Sequence, residues 1–86
     1  MFYGQFWYVK KNEHKLFLIK LGNNLKASRL SANFTQEQLA NEIGIEISQI
    51  SRIERGLIGT SVATFFDISK ALNIPLKDFF DFNIDE

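Results

Sequence analysis

Eighty-six residues leave room for one compact domain and too little chain for two. Apolar residues at 45% are enough for a small core, while the absence of cysteine excludes disulfide staples and thiolate metal sites, and the lone His14 has no second soft ligand to share a metal, so no cofactor is expected. Net charge is zero, which excludes a uniformly basic nucleic-acid binder, yet residues 1–33 carry six Lys or Arg against one acid and residues 61–86 carry five acids against two Lys, so a local positive face can still meet phosphates.

The chain opens Met-Phe-Tyr-Gly, without the basic and apolar regions of a secretion signal. No apolar run approaches the roughly 20 residues that span a bilayer. The longest, Leu16 to Ile19, is closed by Lys20. No membrane partner and a cytoplasmic address are therefore expected. Residues 2–9 hold five aromatics, and such content favours an extended strand.

Asn12 can cap a following helix. Leu18, Leu21, Leu25 and Ala32 then fall on one helical stripe, which predicts helix 1 over about 13–32. Gly22 weakens that helix and Ser28 interrupts its apolar face. Thr35 is a good N-cap with Gln38 at the capping-box position, and Leu39, Ala40 and Ile43 form the inward face of a short helix 2. Ala40 must be small where two helices cross. Gly44 follows where a left-handed residue is needed.

Helix 3 is expected from Glu46 or Ile47 to Arg55, with Ile50 and Ile53 inward. Ile47, Ser48, Ser51, Arg52 and Arg55 share its outer face, and Gly56 ends it. Leu57 to Thr60 reads as a loop. Ser61 can cap helix 4, about 62–72, with Val62, Phe65, Ile68 and Leu72 inward. Pro75 suits the start of a short helix 5 carrying Leu76, Phe79 and Phe80. The pairs Phe65–Phe66 and Phe79–Phe80 read as core. Asp78, Asp81, Asp85 and Glu86 read as a solvated acidic end.

Residues 35–56 combine Thr-Gln-x-x-Leu-Ala, a turn glycine at 44 and Ile-Ser-x-Ile-Glu-x-Gly. Gly22, Leu25 and Arg29 lie upstream, and Ile68-Ser-Lys-Ala-Leu-Asn-Ile, Leu76 and Phe80 lie downstream. These spacings resemble the helix-turn-helix of the Xre and phage-repressor (Cro-like) family over about residues 18–81. The resemblance implies an all-α, five-helix, lambda-repressor-like bundle over 13–82. An N-terminal extension, 1–12, would precede it and a short acidic tail, 83–86, would follow.

The resemblance also implies roles. Ile47, Ser48 and Arg52, with Gln49 beside them, would read bases in the major groove. Arg52 can take guanine bidentately, and Ile47 can meet a thymine methyl. Gln36 at the start of helix 2 would hold a phosphate or buttress a base contact. Arg55 and Lys26 would contact phosphates. Arg29 and Glu54 would form an ion pair tying helix 1 to helix 3. Ile47 has a plain alternative as a core residue, because a boundary shift of two residues would turn it inward.

Three features depart from the pattern: neutral charge, apolar Leu57 and Ile58 where relatives carry basic residues, and the aromatic N-terminal segment. That segment can fold back over the core, pair with its copy in a second subunit, or dock another protein. No catalytic triad, phosphate loop or metal cluster is present, so an enzyme is not expected.

The favoured expectation is a homodimeric, sequence-specific regulator on double-stranded DNA, with a near-palindromic operator. Restriction–modification controllers, antitoxins and phage repressors share this minimal architecture. The rival is a protein-interaction module, antitoxin-like or a scaffold, that keeps the fold and meets a toxin or other protein with little DNA binding.

Overall fold

The first helix, α1 (Tyr3–Ser31), is 29 residues long and forms the spine on which the rest assembles. The computed structural model describes residues 3–83, with side chains described from Asn12 onward. Three shorter helices follow: α2 (Gln36–Ile43), α3 (Ile47–Glu54) and α4 (Val62–Leu72), then a C-terminal 3-10 helix (Leu76–Phe80). Helix α2 packs on α3 and α4, while α1 packs on α3 and on the 3-10 helix.

Local chemistry sets the boundaries. Thr35 Oγ1 accepts from the Gln38 backbone N–H at 3.0 Å, and Gln38 Oε1 accepts from the Thr35 N–H at 2.9 Å, so the two ends of a capping box are closed. Ser61 caps α4 by accepting from the Thr64 N–H at 3.0 Å. Every α-helix then stops at a left-handed residue: Asn33, Gly44, Gly56 and Asn73, with φ between 57° and 76°. After each one, the next residue's N–H reaches five back, as in Phe34 to the Arg29 carbonyl and Ile74 to the Ser69 carbonyl, both at 3.0 Å. This satisfies carbonyls that the helix end would otherwise leave open.

The core is one cluster. It takes Leu21 and Leu25 from α1, Leu39 and Ala40 from α2, Ile50 and Ile53 from α3, Phe65, Ile68 and Leu72 from α4, and Phe79. Each fully buried Leu, Ile or Phe contributes about 1.5–3 kcal/mol relative to exposure. Phe65 lies between Phe79 and Phe80, with ring centroids 5.7 Å from each. Phe17 stacks on Phe80 at 6.4 Å and meets Phe82 at 5.5 Å. Asn24 Nδ2 donates to the Phe79 carbonyl at 2.9 Å, and Lys20 donates to the Asn83 carbonyl. The C-terminal segment is thus strapped to α1 by apolar and polar contacts together.

The structure differs from the sequence reading in three places. The strand expected over residues 2–9 is not formed over the described part of that span, residues 3–9. Tyr3 to Val9 belong to α1, so helix 1 starts at Tyr3 rather than at about 13, Asn12 lies inside it rather than capping it, and the described residues contain no strand. Among the described residues the bundle has four α-helices, not five, because the fifth element is a 3-10 helix of five residues. Such a short stretch, closed by i→i+3 bonds such as Asp78 N–H to the Pro75 carbonyl, has no room for the α-helical ladder. Finally, Val62 (70% exposed) and Phe66 (51%) point outward rather than into the core, and Phe80, also read as core, is 38% exposed at its edge. Phe65, Ile68 and Leu72 already fill the face of α4 that meets the bundle.

Candidate nucleic-acid interface

Helix α3 is placed by a tight turn at Gly44. Gly44 has φ 76° and ψ 34°, and both its N–H and that of Ile45 return to the Ala40 carbonyl. The chain therefore reverses within three residues, and α3 starts at Ile47. Ile50, Ile53 and Glu54 turn into the bundle and are buried. Their spacing fixes the rotation of the helix about its axis, and the opposite side is left to solvent.

That outer side holds Ile47, Ser48, Arg52 and Arg55, all exposed, with Gln49 and Ser51 half-buried at its edges. Ile47 is 47% exposed, so its alternative as a core residue does not apply. Glu46, at the N-cap of α3, makes no side-chain cap hydrogen bond. The Glu46 carbonyl instead accepts from the Gln49 N–H at 3.0 Å, which closes the first turn of α3 through the backbone. Arg55 Nε donates to the Ser51 carbonyl at 3.3 Å, which folds its guanidinium back along the helix. Lys26 is exposed on α1.

Behind this face lies a buried polar cluster. Arg29 Nε stands 2.6 Å from Glu54 Oε2, and Nη2 donates to Oε1 at 3.0 Å. The remaining arm, Nη1, donates to the Phe34 carbonyl at 2.8 Å. Both charged side chains are almost fully buried, and the two-pronged contact satisfies both oxygens. Gln36, half-buried at the first position of α2, donates from Nε2 to Glu54 Oε1 at 3.0 Å. Among the described residues no buried side-chain nitrogen or oxygen lacks a partner.

Two of these links, Gln36 to Glu54 and Arg29 to Phe34, have no signal in the sequence. They join residues from separate elements through geometry alone. Among the described residues no group of three or more His, Cys, Asp or Glu is placed to hold a metal ion. No helix is long and apolar enough to cross a membrane among the described residues.

Comparison with known proteins agrees with this architecture. Residues 25–79 match the family model HTH_3, Helix-turn-helix. Control protein C.BamHI of Bacillus amyloliquefaciens is 42% identical over 62 residues, covering 71% of this chain and 76% of that protein. Antitoxin HipB of Escherichia coli O6:H1 is 37% identical over 57 residues, 66% of this chain and 61% of its own length. The chain spans 56% of the length of another matching regulator, from Rhodospirillum rubrum. Among solved structures, the restriction-modification controller protein C.AhdI from Aeromonas hydrophila superposes with a TM-score of 0.71 at 30% identity, covering 73% of this chain and 96% of that one. The chain belongs to the HTH_3 helix-turn-helix family, of the Xre and Cro-like kind, which includes proteins named as transcriptional regulators.

Proposed function

We propose that the protein is a sequence-specific transcriptional regulator that binds duplex DNA as a homodimer by laying α3 in the major groove. One observation carries this reading. The outer side of α3 is wet and projects Ile47, Ser48 and Arg52, while Ile50 and Ile53 lock the helix from behind. A protruding helix of this kind fits a groove about 12 Å wide. Ile47, Ser48, Gln49 and Arg52 then meet base edges, and Gln36, Arg55 and Lys26 meet the phosphate backbone. Two copies would set their α3 helices about 34 Å apart, on a near-palindromic operator.

The relatives named as control and controller proteins support an operator-binding role. Exposed Leu57 (60%), Val62 and Phe66 support self-association, since large apolar side chains left in water favour a partner surface. A second reading has its own support. Antitoxin HipB is similar over 66% of this chain, and net charge is zero, so a protein partner is the rival to DNA.

Binding to random duplex DNA at two salt concentrations separates the two. A regulator binds weakly and loses affinity linearly in log–log form as salt rises. No binding at low salt would favour the protein-interaction reading.

A further inference from the structure

The start of α2 is held from two sides by one ion pair. Arg29 fixes the Phe34 carbonyl, just before the cap residue Thr35. Glu54, gripped by the other two prongs of Arg29, accepts from Gln36, just after that cap. Three helix ends therefore meet at one carboxylate: the last turn of α1, the first residue of α2 and the last residue of α3.

The chemistry fixes which way Gln36 faces. An ionised carboxylate only accepts hydrogen bonds, so the Gln36 amide must turn its NH2 toward Glu54. One N–H is then committed, and the amide plane is set by a group that is itself held rigidly in the core. A glutamine on an open helix end would otherwise sample many rotamers and lose that freedom on meeting DNA. Here the orientation exists before the ligand arrives.

We infer that Gln36 is aimed by Glu54, so that the buried Arg29–Glu54 pair acts as a positioning device for the DNA-facing amide at the start of α2. The ion pair thus serves affinity as well as architecture. This inference rests on the DNA-binding reading above and adds to it a residue, Glu54, that never touches the duplex.

The test uses the whole chain and a duplex obtained by in-vitro selection. Affinity is measured by anisotropy for wild type, Gln36→Met, Glu54→Asp and the double variant, with thermal unfolding of each. The Gln36 side-chain amide is followed by NMR without DNA. Glu54→Asp keeps the charge for Arg29 but withdraws the carboxylate by one methylene. We expect each single variant to lose about tenfold in affinity, the double variant to lose no more than either, and Gln36→Met to remain folded at the temperature of the binding measurement.

We also expect the Gln36 amide resonances to move in Glu54→Asp, without DNA present. Independent losses that multiply to about a hundredfold in the double variant would overturn the inference. So would a Gln36→Met variant that binds as wild type does. If Glu54→Asp does not fold, the wild-type amide decides: resonances at random-coil positions overturn the proposal, and displaced ones support it. Wild-type protein that binds no duplex at all overturns the DNA-binding reading and this inference with it. Binding by wild type with additive variants overturns the inference alone.

Discussion

A methyl group on Gly22 would stand 2.6 Å from the backbone carbonyl oxygen of Glu54, and closer still to that of Ile53. Helix α1 and the end of α3 touch backbone to backbone at this point, and only a residue without a side chain fits between them. Gly22→Ala therefore has two opposed effects. It gains up to about 1 kcal/mol of helix propensity. It also forces a clash with main chain that cannot rotate away, a strain of about 1–3 kcal/mol or more. The clash wins, and the urea midpoint should fall. The control is Gly44→Ala, where nothing lies within 4 Å of the added methyl and only the left-handed backbone is strained, at about 1–2 kcal/mol. An unchanged or higher midpoint for Gly22→Ala would contradict this account of Gly22.

Arg29→Ala should be among the most damaging single changes. It leaves the Glu54 carboxylate buried without its cation, at about 3–5 kcal/mol. In a domain of this size each kcal/mol lost lowers the melting temperature by about 4–8 °C, so the melt should fall by more than about 10 °C. Replacing both partners, Arg29→Met with Glu54→Leu, removes the uncompensated charge and should recover most of the stability. Circular-dichroism melts of the single and paired variants check this. A paired variant no better than the single would mean that the Arg29 bond to the Phe34 carbonyl dominates.

The ends of α2 and the start of α4 were legible because short-range chemistry sets them, whereas Asn12 misplaces the start of α1. Thr35 and Gln38 announce the capping box, Gly44 the turn and Ser61 the cap of α4. The inward faces of α2 and α3 follow from periodicity. Other features depend on what lies beyond the local window. The aromatic residues near the start argue for a strand by composition. A helix already nucleated downstream, however, extends by propagation alone, which is far easier than starting anew.

Gly22 looks like a weak point in a helix until its neighbour is known. Helix α4 is apolar on most of its surface, so spacing alone does not say which side turns inward. The candidate DNA-facing residues are legible least of all. Ser48, Gln49 and Ser51 are ordinary polar residues on a wet helix, and only resemblance to a family gives them a role.

The outward placement of Val62 and Phe66 leads to a contrast within α4. Phe65→Ala removes a buried ring and should destabilise the fold by about 3–5 kcal/mol. Phe66→Gln, one residue later, removes an exposed ring and should stay within about 0.5 kcal/mol for the monomer. Denaturant unfolding at low protein concentration separates the two. A large loss for Phe66→Gln would return that side chain to the core, against its exposure.

Self-association has its own test at the same surface. Leu57→Glu and Phe66→Glu place charges on exposed apolar positions without disturbing the core. If two copies meet there, each should shift the protein toward monomer in sedimentation-velocity runs while its melt at low concentration is unchanged. A wild-type protein that is monomeric at all concentrations would remove the homodimer from the proposed function and leave DNA binding to single copies.

Readout and anchoring should separate cleanly between Arg52 and Lys26. Arg52 is exposed on the outer side of α3, where a guanidinium can take the two acceptors of a guanine edge. Arg52→Ala should weaken binding by about 1–3 kcal/mol and relax preference at one base position. Lys26 is exposed on α1 and offers a point charge suited to a phosphate. Lys26→Ala should weaken binding to all duplexes alike and lower the salt slope by about one. In-vitro selection with each variant, followed by titrations at several salt concentrations, reads both quantities at once. A selected site unchanged by Arg52→Ala would take that residue out of base recognition. A loss confined to particular sequences for Lys26→Ala would mean that α1 reads the duplex rather than merely gripping it.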